Sequence, residues 1–174
     1  MSGLLAAIRE RAQDPARYRD SGAEWRRPVR AIPDKAGVQA VESELGVRFP
    51  ELLLAVYIGI GDGGFGPGYG LLPLSPLKAE PDQDSVLGLH QVLSAVDPEE
   101  SSWVLPRPLV PFCDWGCAIR SCVDCSTDAG AVVTFDPNAH KEGEGWGPDC
   151  PTEGATQARA SVPEIARGES KSRL

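Results

Sequence analysis

An α+β fold is what this 174-residue sequence predicts: an antiparallel sheet, a meander in the C-terminal half, with N-terminal helices packed beside it. Three observations predict it. Apolar residues recur at helical spacing in the first third of the chain. From Leu109 the period drops to two, and three short apolar runs follow one another. The links between those runs are a few residues long, which suits antiparallel neighbours and is too short for a parallel crossover. A single domain is expected at this length. It divides into an N-terminal helix and extended arm (1–33), a core (34–138) and a polar tail (139–174) expected to be mobile.

The first helix is predicted from Ser2 to Ala12, with Ser2 as its cap and Leu4, Leu5 and Ile8 as its stripe. Asp14 to Pro33 carries three prolines and scattered arginines and reads as an extended arm, with Trp25 packed onto the body. Asp34 caps a second helix to Leu45; Val38, Val41 and Leu45 share one face, and Gly46 stops it. After the link Val47-Arg48-Phe49, Pro50 suits the first position of a third helix, where a missing N–H costs nothing. Leu53, Val56, Tyr57 and Ile60 give that helix its buried face.

Gly59 to Gly70 then reads GIGDGGFGPGYG, and Leu71, Leu72 and Leu74 lead into a strand. A helix follows within 84–96, with Leu87 and Gln91, then Val92 and Val96, on adjoining faces. Pro98, Glu99 and Glu100 close it. The meander is predicted as Leu109 to Cys113, Ala118 to Cys125 and Ala131 to Asp136. Its turns fall at Asp114-Trp115-Gly116 and at Ser126 to Gly130.

Composition narrows the function. Hydrophobic residues make up 41% and charged residues 24%, which fits a folded domain able to bury a core. No apolar run reaches membrane-spanning length and the N-terminus has no signal pattern, so no membrane association is expected. Five cysteines without an export signal imply reduced thiols and a cytoplasmic location. Net charge is −8 overall, but residues 31–138 hold fifteen acids against five bases, a local charge of −10. Such a body repels phosphate backbones, so nucleic-acid binding is not expected; a protein partner with a basic face is.

No motif points to catalysis. Gly61-Asp62-Gly63-Gly64-Phe65-Gly66 matches GxGxxG, but a dinucleotide site needs a strand before that loop and a helix after it. The predicted order is the reverse, and the loop reads as a tight corner anchored by Phe65 and Tyr69. Cys113, Cys117, Cys122 and Cys125 have a spacing that invites zinc. Within one strand, however, Cys122 and Cys125 point to opposite faces, so buried thiols are the first reading and a zinc set the alternative. Asp114, Asp124, Asp128 and Asp136 fall at predicted strand ends and read as solvated or turn-capping. GxSxG and the phosphate-binding P-loop are absent, and neither His90 nor His140 lies in a thiol-protease signature. No cofactor is expected.

The segments together carry a resemblance. Val41-Glu-Ser-Glu-Leu-Gly-Val-Arg-Phe-Pro50, a short helix, then Gly63-Gly-Phe-Gly-Pro-Gly-Tyr-Gly70-Leu-Leu resembles the core signature of the SUKH superfamily, the Smi/Knr cell-wall-regulator group. The run Pro111-Phe-Cys-Asp-Trp-Gly-Cys-Ala-Ile-Arg-Ser-Cys-Val-Asp-Cys125, with Phe135-Asp136-Pro137-Asn138, resembles a second signature of its bacterial members. The resemblance implies an α+β fold, a non-enzymatic role and cysteines that belong to a structural block. Many bacterial members are immunity proteins that neutralise toxins, often nucleases; others act as general protein-interaction modules. The chain departs from the bacterial pattern at its C-terminus, where Pro151 to Leu174 lacks the usual tryptophan anchors. The expectation is a binding protein that occludes a basic toxin surface, with a regulatory adaptor of the same fold as the alternative. Candidate contacts are Asp62, Phe65, Tyr69, Asp114, Trp115 and Asp124.

Overall fold

The computed structural model describes residues 2–14, 29–76, 84–95 and 104–136. The readings made for Trp25, Val96, Pro98 and the tail from 139 lie outside those residues. Four helices and four strands follow in the order α1 (Ser2–Gln13), α2 (Lys35–Leu45), α3 (Glu51–Gly59), β1 (Gly70–Leu71), α4 (Val86–Ser94), β2 (Leu109–Gly116), β3 (Ile119–Asp124) and β4 (Val132–Phe135). The sheet runs β1-β2-β3-β4 with every pairing antiparallel. The fold is α+β, and the meander lies in the C-terminal half as expected.

Local chemistry accounts for the helix ends. The Asp34 carboxylate accepts the Gly37 N–H at 2.6 Å, answering one of the orphan donors of α2. Gly46 closes that helix, its N–H returning to the Glu42 carbonyl. Pro50 stands one position earlier than expected, at the N-cap of α3, where its own missing N–H leaves nothing unpaired. Ser85 caps α4 through its hydroxyl, which accepts the Gly88 N–H at 3.0 Å. Ser2 falls inside α1 rather than before it.

Two expectations are corrected. In α4 the buried residues are Val86 to His90, while Gln91 and Val92 are exposed. Burial follows the first turns of this helix, which enter the core directly from Leu74: the Leu87 N–H bonds its carbonyl at 3.1 Å. In the sheet, β2 does not end at Cys113 but runs to Gly116: Asp114 pairs with Arg120 and Gly116 with Ile119, with Trp115 at a register shift between them. The hairpin turns instead at Cys117 and Ala118, both left-handed with φ of 51° and 61°. Positive φ at both central residues is what a two-residue hairpin needs to match the strand twist.

The sheet separates two apolar clusters. The larger joins Ile8 of α1, Val38, Val41 and Leu45 of α2, Val56 and Tyr57 of α3, Leu89 of α4, and Val110, Phe112 and Val123 of the sheet. The smaller lies on Leu105, Cys122 and Phe135. Three buried polar side chains fix the irregular segments between helices and sheet. Glu42 accepts the Phe49 N–H at 2.7 Å, Asp62 accepts the Leu74 N–H at 2.7 Å, and the Tyr57 hydroxyl donates to the Leu72 carbonyl at 2.8 Å.

Two outcomes follow from this packing. Glu42→Ala leaves the buried Phe49 N–H without an acceptor and should cost about 1–3 kcal/mol in urea unfolding. Arg48→Ala removes only the solvent-exposed partner of the same carboxylate, 3.4 Å away, and should stay within about 1 kcal/mol. His90 is buried with Nε2 3.2 Å from the Arg107 carbonyl, and burial lowers its pKa below 6.5. The folded protein therefore resists protonating a group that the unfolded chain protonates freely. The associated stability is present above pH 6.5 and is lost as pH falls toward the folded-state pKa. Chemical unfolding of His90→Gln across pH 5–7 should lack that component of the decline.

Candidate functional site

The glycine loop and the β2–β3 hairpin meet at one end of the sheet. The loop doubles back on itself: Leu71 N–H bonds the Phe65 carbonyl at 2.6 Å, and Gly64 N–H bonds the Leu71 carbonyl at 2.9 Å. It then joins the sheet, with the Tyr69 N–H on the Asp114 carbonyl at 2.7 Å. Helix α3 precedes this loop and a strand follows it, the reverse of the order a dinucleotide site requires.

Two aromatic side chains stand out at this corner, Tyr69 at 37% exposure and Trp115 at 40%. Each rests against a glycine that neighbours the other. A methyl group at Gly116 would lie 2.3 Å from Cε2 of Tyr69, and one at Gly68 would lie 2.9 Å from Cα of Trp115. Both glycines have positive φ, 87° and 58°, so the close approach and the backbone conformation make the same demand. The Trp115 indole N–H donates to Ser121 Oγ at 2.8 Å, which fixes the ring while leaving much of it in solvent. The result is an ordered aromatic surface at the end of the sheet.

Behind it lies an ion pair that sequence reasoning placed wrongly. Asp114 was expected at a strand end, in solvent or capping a turn. It lies within β2, buried, and its Oδ1 accepts from Arg120 Nη1 at 2.7 Å and from the Gly116 N–H at 2.8 Å. The reason is register: β2 continues past Cys113, so Asp114 falls directly opposite Arg120.

The other candidate contacts are dispersed. Asp62 is buried and held by the Leu74 N–H and by Arg30, 3.4 Å away. Phe65 is in the main core. Asp124 caps the turn after β3 by accepting the Ser126 N–H at 2.9 Å, and it pairs with Leu109 at the end of the sheet opposite the hairpin. Tyr69 and Trp115 are thus brought together at the surface, with Asp114 beneath them.

The family-model comparison then places the chain. The model of the SMI1 / KNR4 family (SUKH-1) matches residues 33–151, more than half of the sequence. The chain belongs to this family. No curated protein matches it. The SUKH-1 match includes the glycine loop, the hairpin and both exposed aromatics; helix α1 precedes it.

Among the described residues, the four cysteines of this SUKH-1 domain do not converge. Cys113 is in the main core, Cys122 lies in the smaller cluster across the sheet, Cys117 is exposed in the hairpin turn, and Cys125 is half-buried. Among the described residues, no three His, Cys, Asp or Glu side chains are grouped as metal ligands. The zinc-like spacing therefore does not correspond to one ligand set. Burial pushes the Cys122 and Cys125 thiols up to about 12 and raises Cys113 further, so these three are protonated at neutral pH. Glu42 and Arg120, which the sequence reading did not single out, carry structural roles that only the tertiary register reveals.

The buried pair yields a sharp expectation. Asp114→Ala strands a buried guanidinium and should lower stability by about 3–5 kcal/mol. Replacing both partners, as Asp114→Ala with Arg120→Met, should recover much of that loss in thermal or urea unfolding.

Proposed function

We propose that this protein is an immunity-type binding module that neutralises a toxin domain by covering a basic surface, and that it performs no covalent chemistry. The observation that carries this reading is the exposed Tyr69–Trp115 pair, held rigidly on a segment, residues 31–138, whose charge is −10. Tyrosine and tryptophan dominate the energetics of protein interfaces because they bury large areas while losing little conformational freedom. A net acidic body speeds encounter with a basic partner and disfavours acidic ones. Membership of the SUKH-1 family supports the same reading.

Residues whose carboxylates already serve the fold are poor contacts. Asp62 and Asp114 are buried and engaged internally, so the electrostatic contribution comes from exposed acids such as Glu44, Glu51 and Asp128. Their influence is long-range and screened by salt, on the order of an 8–10 Å Debye length at physiological ionic strength.

The test is co-expression with a toxin domain encoded beside this gene. Growth should be rescued, and the purified pair should associate more slowly as salt is raised. Trp115→Ala should weaken binding by at least about tenfold, the scale of an interface anchor, while circular dichroism stays native. Reversing Glu44, Glu51 and Asp128 together should slow association. Full rescue by a folded Trp115→Ala, Tyr69→Ala double variant would remove the aromatic corner from the mechanism. Absence of rescue by the wild type would favour an adaptor role instead.

A further inference from the structure

A pocket of about 220 Å³ lies between α1, α3 and the sheet. Ile8, Leu53, Val56, Phe65, Phe112 and Val132 supply most of its apolar wall. Arg11, Glu51 and Asp128 also border it; Glu51 and Asp128 are exposed and mark its mouth. Protein interiors are packed tightly enough that few voids exceed the size of a water molecule. Apolar cavities of about 150 Å³ stay dry and take up benzene or xenon. This pocket is larger and, unlike such cavities, opens to solvent. Among the described residues the two buried side-chain polar atoms without a hydrogen-bond partner are Ser94 Oγ and Arg120 Nε, and neither residue lines it. No orphaned buried side-chain group in the wall therefore calls for water.

One wall is helix α1. Helix α1 precedes the family-matched block; it buries Ile8, packs Leu4, Leu5 and Ala12 against the core, and is tied by Arg9 to the Gly59 carbonyl at 3.0 Å. The remaining wall residues belong to the matched block.

We propose that this pocket is a binding site for a small, uncharged apolar molecule of one or two rings. The volume sets the size and the aliphatic and aromatic lining sets the polarity. The Glu51 and Asp128 carboxylates at the mouth disfavour anionic amphiphiles such as fatty acids, while Arg11 is occupied with interactions of its own. The site is separate from Tyr69 and Trp115, neither of which lines it, so it stands whether or not the toxin-binding reading does.

Titrating the full chain with indole, and separately with naphthalene, tests this by methyl NMR and thermal unfolding. Saturable shifts confined to the methyls of Ile8, Leu53, Val56 and Val132 are expected, with a midpoint that rises with ligand concentration by linkage. Decanoate should compete at least tenfold less well than naphthalene. Val132→Phe and, separately, Val56→Phe fill the space and should weaken indole binding at least tenfold. Absence of saturable indole and naphthalene binding by the wild type would overturn the proposal. So would shifts centred on other methyls, or unchanged affinity in a folded filling variant. Should both variants fail to fold, the location of the wild-type shifts decides between the two outcomes.

Discussion

Peptide groups buried outside regular structure must still find partners, and this constraint governs how the helices and the sheet are joined. The segments at Phe49 and at Leu72 to Leu74 lie against the core without a complete ladder to satisfy them. Glu42, Asp62 and Tyr57 each reach across to one such group. A buried unpaired N–H or carbonyl costs about as much as many whole core contacts contribute, so these side chains decide where the loops can run. The glycine corner is positioned by the same means, since Asp62 and the Tyr57–Leu72 bond bracket its two ends.

That positioning is what makes an exposed aromatic pair useful. A tyrosine or tryptophan on a mobile loop loses conformational freedom on binding, and the loss subtracts from affinity. Here Tyr69 is tethered through its backbone to β2, and Trp115 is tethered through its indole to Ser121. Much of the ordering is complete before any partner arrives. In the proposed reading the acidic body adds a long-range field and the corner supplies close contact.

The helices were legible because their signals are local. Asp34, Gly46 and the Val38-Val41-Leu45 stripe act within a few residues of one another, and the structure reproduces them. The meander was legible from its period, but its hairpin turn was not. Turn residues are ordinarily read from Gly, Pro, Asn and Asp, so Asp114-Trp115-Gly116 was chosen. The chain turns instead on Cys117 and Ala118 in the left-handed region, where non-glycine residues carry a steric cost of roughly 1–2 kcal/mol each. That displacement of three residues hid the opposition of Asp114 and Arg120, because an ion pair across strands depends on register. Of the proposed contacts, Tyr69 and Trp115 were visible as aromatics beside glycines. Buried Phe65 matches its expected place as an anchor of the glycine corner, whereas the inward turn of Asp62 was not visible, because burial is decided by segments distant in sequence.

The two outermost strands are short: β1 spans two residues and β4 spans four. A sheet exposes unpaired donors and acceptors along its margins, and long flat margins recruit strands from other molecules into aggregates. Brief outer strands give such recruitment little to extend. Association between copies of this chain is therefore left to side chains rather than to backbone.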